Sequence, residues 1–162
     1  MGVGAPAVEK RSARRNARMN HGMHLRPLTA GDLPAMTALD SVCFDAATAY
    51  PLEVMADFFL QPGARAIGYF ADSDPAAFIL WARCEIITLD VSPLFRRKGL
   101  ARDLMAHALR AIRMRGYRHA LLQVDQDNAP ALALYRSLGF AILRPYREGG
   151  KRRYEMELIF YL

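Results

Sequence analysis

The sequence predicts a mixed α/β fold, a central sheet with helices on both faces. Three observations carry that expectation. Strand-like and helix-like segments follow one another in the order β-α-α-β-β-β-α-β-α-β-β. The chain has 162 residues, 52% of them hydrophobic, which suits one domain with a substantial core. No window approaches the roughly 18 uninterrupted apolar residues of a membrane span.

Residues 24–28 read as a short first strand. A helix start follows at Thr29-Ala30-Gly31-Asp32, with Asp32 as N-cap and Pro34 tolerated in the first turn. Leu33, Met36, Leu39 and then Val42 or Cys43 recur at helical spacing, so this helix should reach about Cys43. A second helix is expected over 52–60, closed by Gln61-Pro62-Gly63. Residues 65–70 and 76–82 read as a hairpin, turning at 71–75, and 84–91 as the next strand. The helix of 99–115 keeps Leu100, Leu104, Ala108 and Ile112 on one stripe and places Arg102, Arg110 and Arg113 off it. Gly116 closes it. A strand over 120–125 leads to a helix with Asn128 as N-cap and Gly139 as C-cap. Residues 140–146 and 154–160 form a terminal hairpin around Arg147-Glu148-Gly149-Gly150.

The formal net charge of +6 raises the question of nucleic acid. Residues 1–22 hold five cations and one acid, so the rest of the chain carries only two of those six charges. The mildly basic remainder argues against a nucleic-acid binder. The tail itself lacks periodicity and large apolar groups and should be disordered. It has no continuous apolar run of a secretory signal, and it faintly resembles a mitochondrial presequence. The preferred reading is a dispensable extension of a cytoplasmic protein, with the folded domain at 23–162. Cys43 and Cys84 lack metal or redox spacing and are expected to be reduced. His107 and His119 have no partner at ligand spacing, so no metal is expected. Trp81 reads as a packing residue.

The most informative passage is Leu89-Asp90-Val91-Ser92-Pro93-Leu94-Phe95-Arg96-Arg97-Lys98-Gly99-Leu100-Ala101. A strand ends at Ser92-Pro93, and three cations and a glycine precede a long helix. Cations at a helix start oppose its dipole, and a bound anion would resolve the conflict. The spacing fits neither a P-loop nor a dinucleotide fingerprint. Successive N–H groups from Arg97 to Ala101 can converge on a pyrophosphate, with Arg96, Arg97 or Lys98 adding charge. Alone, such a turn is commonly just a solvated basic loop. A second constellation follows at 121–140. Asn128 and Tyr135 lie seven residues apart, on nearly the same helix face. A tyrosine there could donate a proton to a leaving group. A lone tyrosine at such a position is more often an ordinary core aromatic.

These two passages resemble motifs of the GNAT superfamily of acetyl-CoA-dependent N-acetyltransferases, and the resemblance spans about residues 24–162. Leu89 to Ala101 is similar to its acetyl-CoA motif, Gln/Arg-x-x-Gly-x-Gly/Ala. Asn128-Ala129-Pro130-Ala131-Leu132-Ala133-Leu134-Tyr135-Arg136-Ser137-Leu138-Gly139-Phe140 is similar to its Asn-x-x-Ala-x-x-Leu-Tyr-x-x-Leu-Gly-Phe motif. The resemblance implies a mostly antiparallel central sheet and acetyl-CoA as co-substrate. It implies that Leu89, Asp90 and Val91 pair their backbone with the pantetheine arm. It assigns the pyrophosphate to Arg96, Arg97, Lys98, Gly99, Leu100 and Ala101, and a pantetheine contact to Asn128. Tyr135 would protonate the departing thiolate.

Within the superfamily the chain is most similar to the ribosomal-protein alanine N-acetyltransferases and related protein N-terminal acetyltransferases. These commonly carry Leu-Glu-Val before the last helix, where this chain has Leu122-Gln123-Val124. Gln123 can orient a water but cannot accept a proton at neutral pH. Glu85 on the neighbouring strand is the best substitute base, and Asp125 is second. Gln123 and Tyr146, in the terminal hairpin loop, are expected to frame the acceptor. The expected acceptor is a primary amine, a protein N-terminus or a small molecule, handled by a monomer or homodimer. A non-catalytic acyl-CoA sensor is the alternative that Gln123 motivates.

Overall fold

The computed structural model describes residues 22–161; the basic tail and its expected disorder lie outside the described residues, apart from Gly22. Seven strands form one sheet among them: β1 (Met23–Pro27), β2 (Ala64–Ala71), β3 (Asp74–Ala82), β4 (Glu85–Val91), β5 (His119–Asp125), β6 (Ala141–Glu148) and β7 (Lys151–Ile159). Four α-helices accompany them: α1 (Leu33–Cys43), α2 (Leu52–Phe59), α3 (Leu100–Met114) and α4 (Ala129–Ser137). The spatial order is β1-β2-β3-β4-β5-β7-β6. All neighbours run antiparallel except β4 and β5, whose parallel connection needs the α3 crossover.

The apolar pattern explains the layers. β3 is an almost unbroken apolar run because both its faces are buried. Ala77, Ile79 and Trp81 enter a core shared with α3 and α4, while Phe78 and Leu80 enter a second core under α1 and α2. The α3 stripe of Leu100, Leu104, Ala108 and Ile112 is fully buried in the first core. In β5 and β7, Ala120, Leu122, Val124 and Met156 join that core too. No described residue of β5, β6 or β7 belongs to the core under α1 and α2. The opposite face of β5 and β7, with Leu121, Gln123, Asp125, Arg153, Glu155 and Glu157, therefore lacks a helical cover and is largely polar.

Three local expectations need correction. Asp32 holds the N-cap position of α1, but its side chain makes no forward cap hydrogen bond. Thr29 caps a short 3-10 turn (Ala30–Asp32) that runs into α1, and the Asp32 carboxylate accepts the Thr29 N–H at 2.7 Å. The carboxylate reaches back better than it caps forward, because Arg26 also grips it, with both bonds at 2.9 Å. The Ala71–Pro75 turn is shorter than expected: only Asp72 and Ser73 separate β2 from β3. Likewise Tyr146, Arg147 and Glu148 belong to β6 rather than to a loop. Gly149 and Gly150, at φ +57° and +79°, make the whole turn, since two residues of positive φ match the strand twist.

Candidate active site

The sheet opens where β4 and β5 meet. Their parallel ladder has two rungs, Glu85–Leu121 and Ile86–Leu122, and then the strands separate. A register shift in β4, opposite Leu80 and Trp81 of β3, accompanies the divergence. Residues 87–91 and 123–125 consequently face each other without pairing, which leaves unsatisfied backbone groups along the gap. Leu89 and Val91 are half-buried against the α3 core, whereas Asp90 points to the other face and is fully buried.

At the end of this gap lies the basic turn. Ser92 ends β4, and its hydroxyl accepts the Leu94 N–H at 3.4 Å. Arg97 and Gly99 both adopt left-handed backbone, at φ +61° and +80°. The chain thereby curls so that residues 97 and 99–102 present their N–H groups outward ahead of α3. The Lys98 N–H closes a turn over Arg96 and Arg97, and the amides of 97 and 99–102 have no main-chain acceptor among the described residues. Five such amides at the N-terminus of a fifteen-residue helix, with Arg97 and Lys98 exposed beside them, fit a pyrophosphate. Arg96 is partly committed elsewhere: its Nε donates to the Val91 carbonyl at 3.2 Å, which fastens the turn to β4.

Tyr135 approaches from the α3 face. It is 8% exposed, and its ring packs against Phe140 with centroids 6.0 Å apart. Burial, and then the charge of Asp90, push its phenol well above the usual range. It therefore keeps its proton at neutral pH. Asn128 caps α4 through its own Oδ1, which accepts the Ala131 N–H at 3.2 Å, as the sequence predicts. Its amide nitrogen has no partner among the described residues and can serve a ligand.

Glu85 and Gln123 lie on the other face of the gap. They line a cavity of about 150 Å³ together with Leu121, Leu122 and Glu155. Glu155 was not singled out from sequence, although the alternation Arg153, Glu155, Glu157 marks one polar face of β7. Burial, and then the Glu155 charge, raise the Glu85 carboxyl above the ordinary glutamate range. Asp125, the second base candidate, is occupied. Arg153 Nε donates to it at 2.8 Å and Lys151 Nζ at 3.3 Å. Burial opposes its ionisation, but these two cations outweigh burial and hold its pKa low.

Lys151 also binds Asp45 at 2.9 Å and the Thr48 hydroxyl, tying the α1–α2 loop to the terminal hairpin. A second cavity of about 310 Å³ sits beside this tie, lined by Asp45, Asp125, Asp127, Arg147 and Lys151 among others. Tyr146 is half-buried opposite Arg153, with the Arg144 guanidinium 5.1 Å from its ring centre. Tyr135 thus lies on one side of the gap, and Glu85, Gln123 and Tyr146 on the other.

Behind β4 is a buried carboxyl pair that sequence reading missed. Asp40 of α1 and Asp90 are both fully buried. Thr88 donates to Asp90 Oδ1 at 2.6 Å and lies 3.4 Å from Asp40 Oδ1. The Tyr50 N–H donates to Asp40 Oδ2 at 2.7 Å, while Asp90 Oδ2 has no partner among the described residues. Burial, reinforced by Asp40, raises the Asp90 carboxyl well above the usual range.

The sequence model of the Acetyltransferase (GNAT) family matches residues 33–140. The chain belongs to the GNAT acetyltransferase family. A [ribosomal protein bS18]-alanine N-acetyltransferase of Salmonella typhimurium is 34% identical over 119 residues, 70% of this chain and 77% of that one. The streptothricin acetyltransferase of Streptomyces lavendulae is 43% identical over 77 residues, 44% of this chain and 41% of that one. The crystal structure of the Escherichia coli ribosomal-protein-S18-alanine N-acetyltransferase superposes with a TM-score of 0.75 at 25% identity, covering 86% of this chain and 95% of that one. The match spans less than half the length of the streptothricin acetyltransferase and of the mycothiol acetyltransferase of Segniliparus rotundus. GNAT enzymes use acetyl-CoA, and the open gap and unengaged amides of this chain suit that donor. Among the described residues no group of three or more His, Cys, Asp or Glu is placed to hold a metal.

Proposed function

We propose that this GNAT domain, residues 23–162, transfers the acetyl group of acetyl-CoA to a primary amine by direct attack. The observation that carries the reading is the β4–β5 divergence beside the unengaged amides of 97 and 99–102. It sets a parted strand edge for a pantetheine arm next to a turn suited to its pyrophosphate. Leu89, Asp90 and Val91 supply backbone groups to the arm, Asn128 its amide nitrogen, and the turn from Arg96 to Ala101 its N–H groups and charge. The thioester supplies the electrophile. Glu85 takes the proton of the acceptor ammonium, and its raised pKa brings it closer to the working pH. Gln123 orients the amine or a water. Tyr135 gives a proton to the leaving sulfur.

The favoured acceptor is the N-terminus of a protein or peptide, framed by Tyr146 and the α1–α2 loop. The match to the bS18-alanine enzyme supports it, because that match covers most of both chains. A small-molecule amine is the second reading, favoured by the streptothricin acetyltransferase match and by the small volume of the Glu85 cavity. Release of free CoA separates the two. The protein is incubated with acetyl-CoA and either Ala-, Ser- or Met-starting peptides or a set of diamines and streptothricin. Faster release with peptides supports the N-terminal reading, and faster release with the small amines supports the other. Acetyl-CoA binding without release on any acceptor would instead mark a sensor.

A further inference from the structure

Gln123 borders the gap with an amide, which cannot accept a proton at neutral pH. Its direct cross-strand neighbour on β7 is Glu155, and such neighbours point to the same face. Glu155 therefore presents its carboxylate one strand farther from the gap, into the same 150 Å³ cavity that Glu85 and Gln123 line. Its two oxygens differ. Oε2 accepts from Arg144 Nη2 at 3.0 Å, and Oε1 is unengaged among the described residues. Its side chain is 24% exposed, so the carboxylate sits at the cavity wall rather than in bulk solvent.

We propose that Glu155 is a second acceptor-side residue of the active site: its unengaged oxygen binds the ammonium of the acceptor while Glu85 removes the proton. This rests on the reading of Glu85 as base. The roles divide by environment. Arg144 anchors one Glu155 oxygen and leaves the other facing the cavity, an arrangement suited to holding a cation. Glu85 has no such partner among the described residues, and partial desolvation at the cavity and the neighbouring charge raise its pKa. The proton balance is closed. One ammonium N–H bond breaks and its proton passes to Glu85. The freed lone pair forms the N–C bond to the thioester carbon, and the C–S bond breaks. The sulfur takes the Tyr135 proton, and Tyr135 regains one from the new amide nitrogen. The proposal selects cationic primary amines and disfavours acceptors with an acidic group next to the amine.

Steady-state kinetics of Glu155→Gln, Glu155→Asp and Glu85→Gln test it. The probe is the fastest acceptor among an Ala-Arg-starting peptide, an Ala-Glu-starting peptide and 1,4-diaminobutane. Glu155→Gln should raise the amine KM at least tenfold and change kcat less than threefold. The KM for acetyl-CoA should not move. The acid limb of kcat/KM should shift to lower pH, because Glu85 loses a like charge. Glu155→Asp should recover part of the affinity. An amine KM within twofold of wild type, with Glu85→Gln still lowering kcat, overturns the Glu155 role alone. If Glu85→Gln leaves kcat unchanged, the base assignment falls instead. Turnover of none of the three amines by protein that binds acetyl-CoA overturns both.

Discussion

Replacing Asp90 by asparagine should stabilise this protein at alkaline pH and leave it nearly unchanged at acid pH. Asp90 is fully buried, meets a second buried carboxyl in Asp40, and has one oxygen without a partner. No cation pairs with its carboxyl among the described residues. The Cys43 thiol, pushed up to about 11 by burial and by Asp90, stays neutral, and so does the Tyr135 phenol. An unfolded aspartate ionises near pH 3.9. Folding raises that value for Asp90, so the native state holds a proton that the unfolded chain has lost. Stability from this site is full below about pH 4 and declines with rising pH until the buried carboxyl ionises. Asparagine carries no such charge, and its N–H can donate to Asp40. An unpaired buried acceptor costs roughly 1–3 kcal/mol. For a domain of this size that is a Tm gain of about 3–8 °C near pH 8. Thermal melts of both proteins between pH 4.5 and 8.5 measure the difference. An equal or larger loss of Tm at pH 8 than at pH 4.5 would refute the reasoning, because the pair would then be a net stabilising contact in its ionised form.

Other outcomes follow from the donor side. At acetyl-CoA about 100-fold above Kd, binding stabilises by about 2.7 kcal/mol, a melting rise of roughly 5–10 °C; no shift at millimolar ligand would remove the acetyl-CoA groove. Gly99→Glu should abolish that shift, since glutamate strains a backbone at φ +80° and sets a negative charge among the unengaged amides; retained binding would put the phosphates elsewhere. Tyr135→Phe should lower kcat about 100-fold with the acetyl-CoA Kd within about twofold; an unchanged rate removes Tyr135 as the acid.

Much of the donor side was legible because it is local. The Ser92-Pro93 strand end, the glycine before α3 and the Asn128 cap are statements about a few adjacent residues, and the structure realises each of them. The α3 stripe was legible for the same reason, a period of 3.6 over fifteen residues. The two misread turns were also local, and sequence held signals for both. Thr29 three residues before Asp32 is a capping-box spacing, and Gly149-Gly150 is a two-residue hairpin signature. Asp125 was different. Its choice as a reserve base rested on its place in a strand, and only the fold shows Arg153 and Lys151 already holding it.

The sequence by itself determined the element order, the phosphate-suited turn and the family likeness, because each depends on short-range spacing along the chain. The tertiary structure alone decided where β4 and β5 part. That divergence depends on a register shift between strands and not on the composition of either strand. It also decided which polar side chains meet. Asp40 and Asp90 lie fifty residues apart in sequence, and Gln123 and Glu155 thirty-two. Helix docking brings the first pair together under Thr88, and antiparallel pairing sets the second side by side. Charge–charge and hydrogen-bond energies depend on separation in space, which residue spacing does not encode.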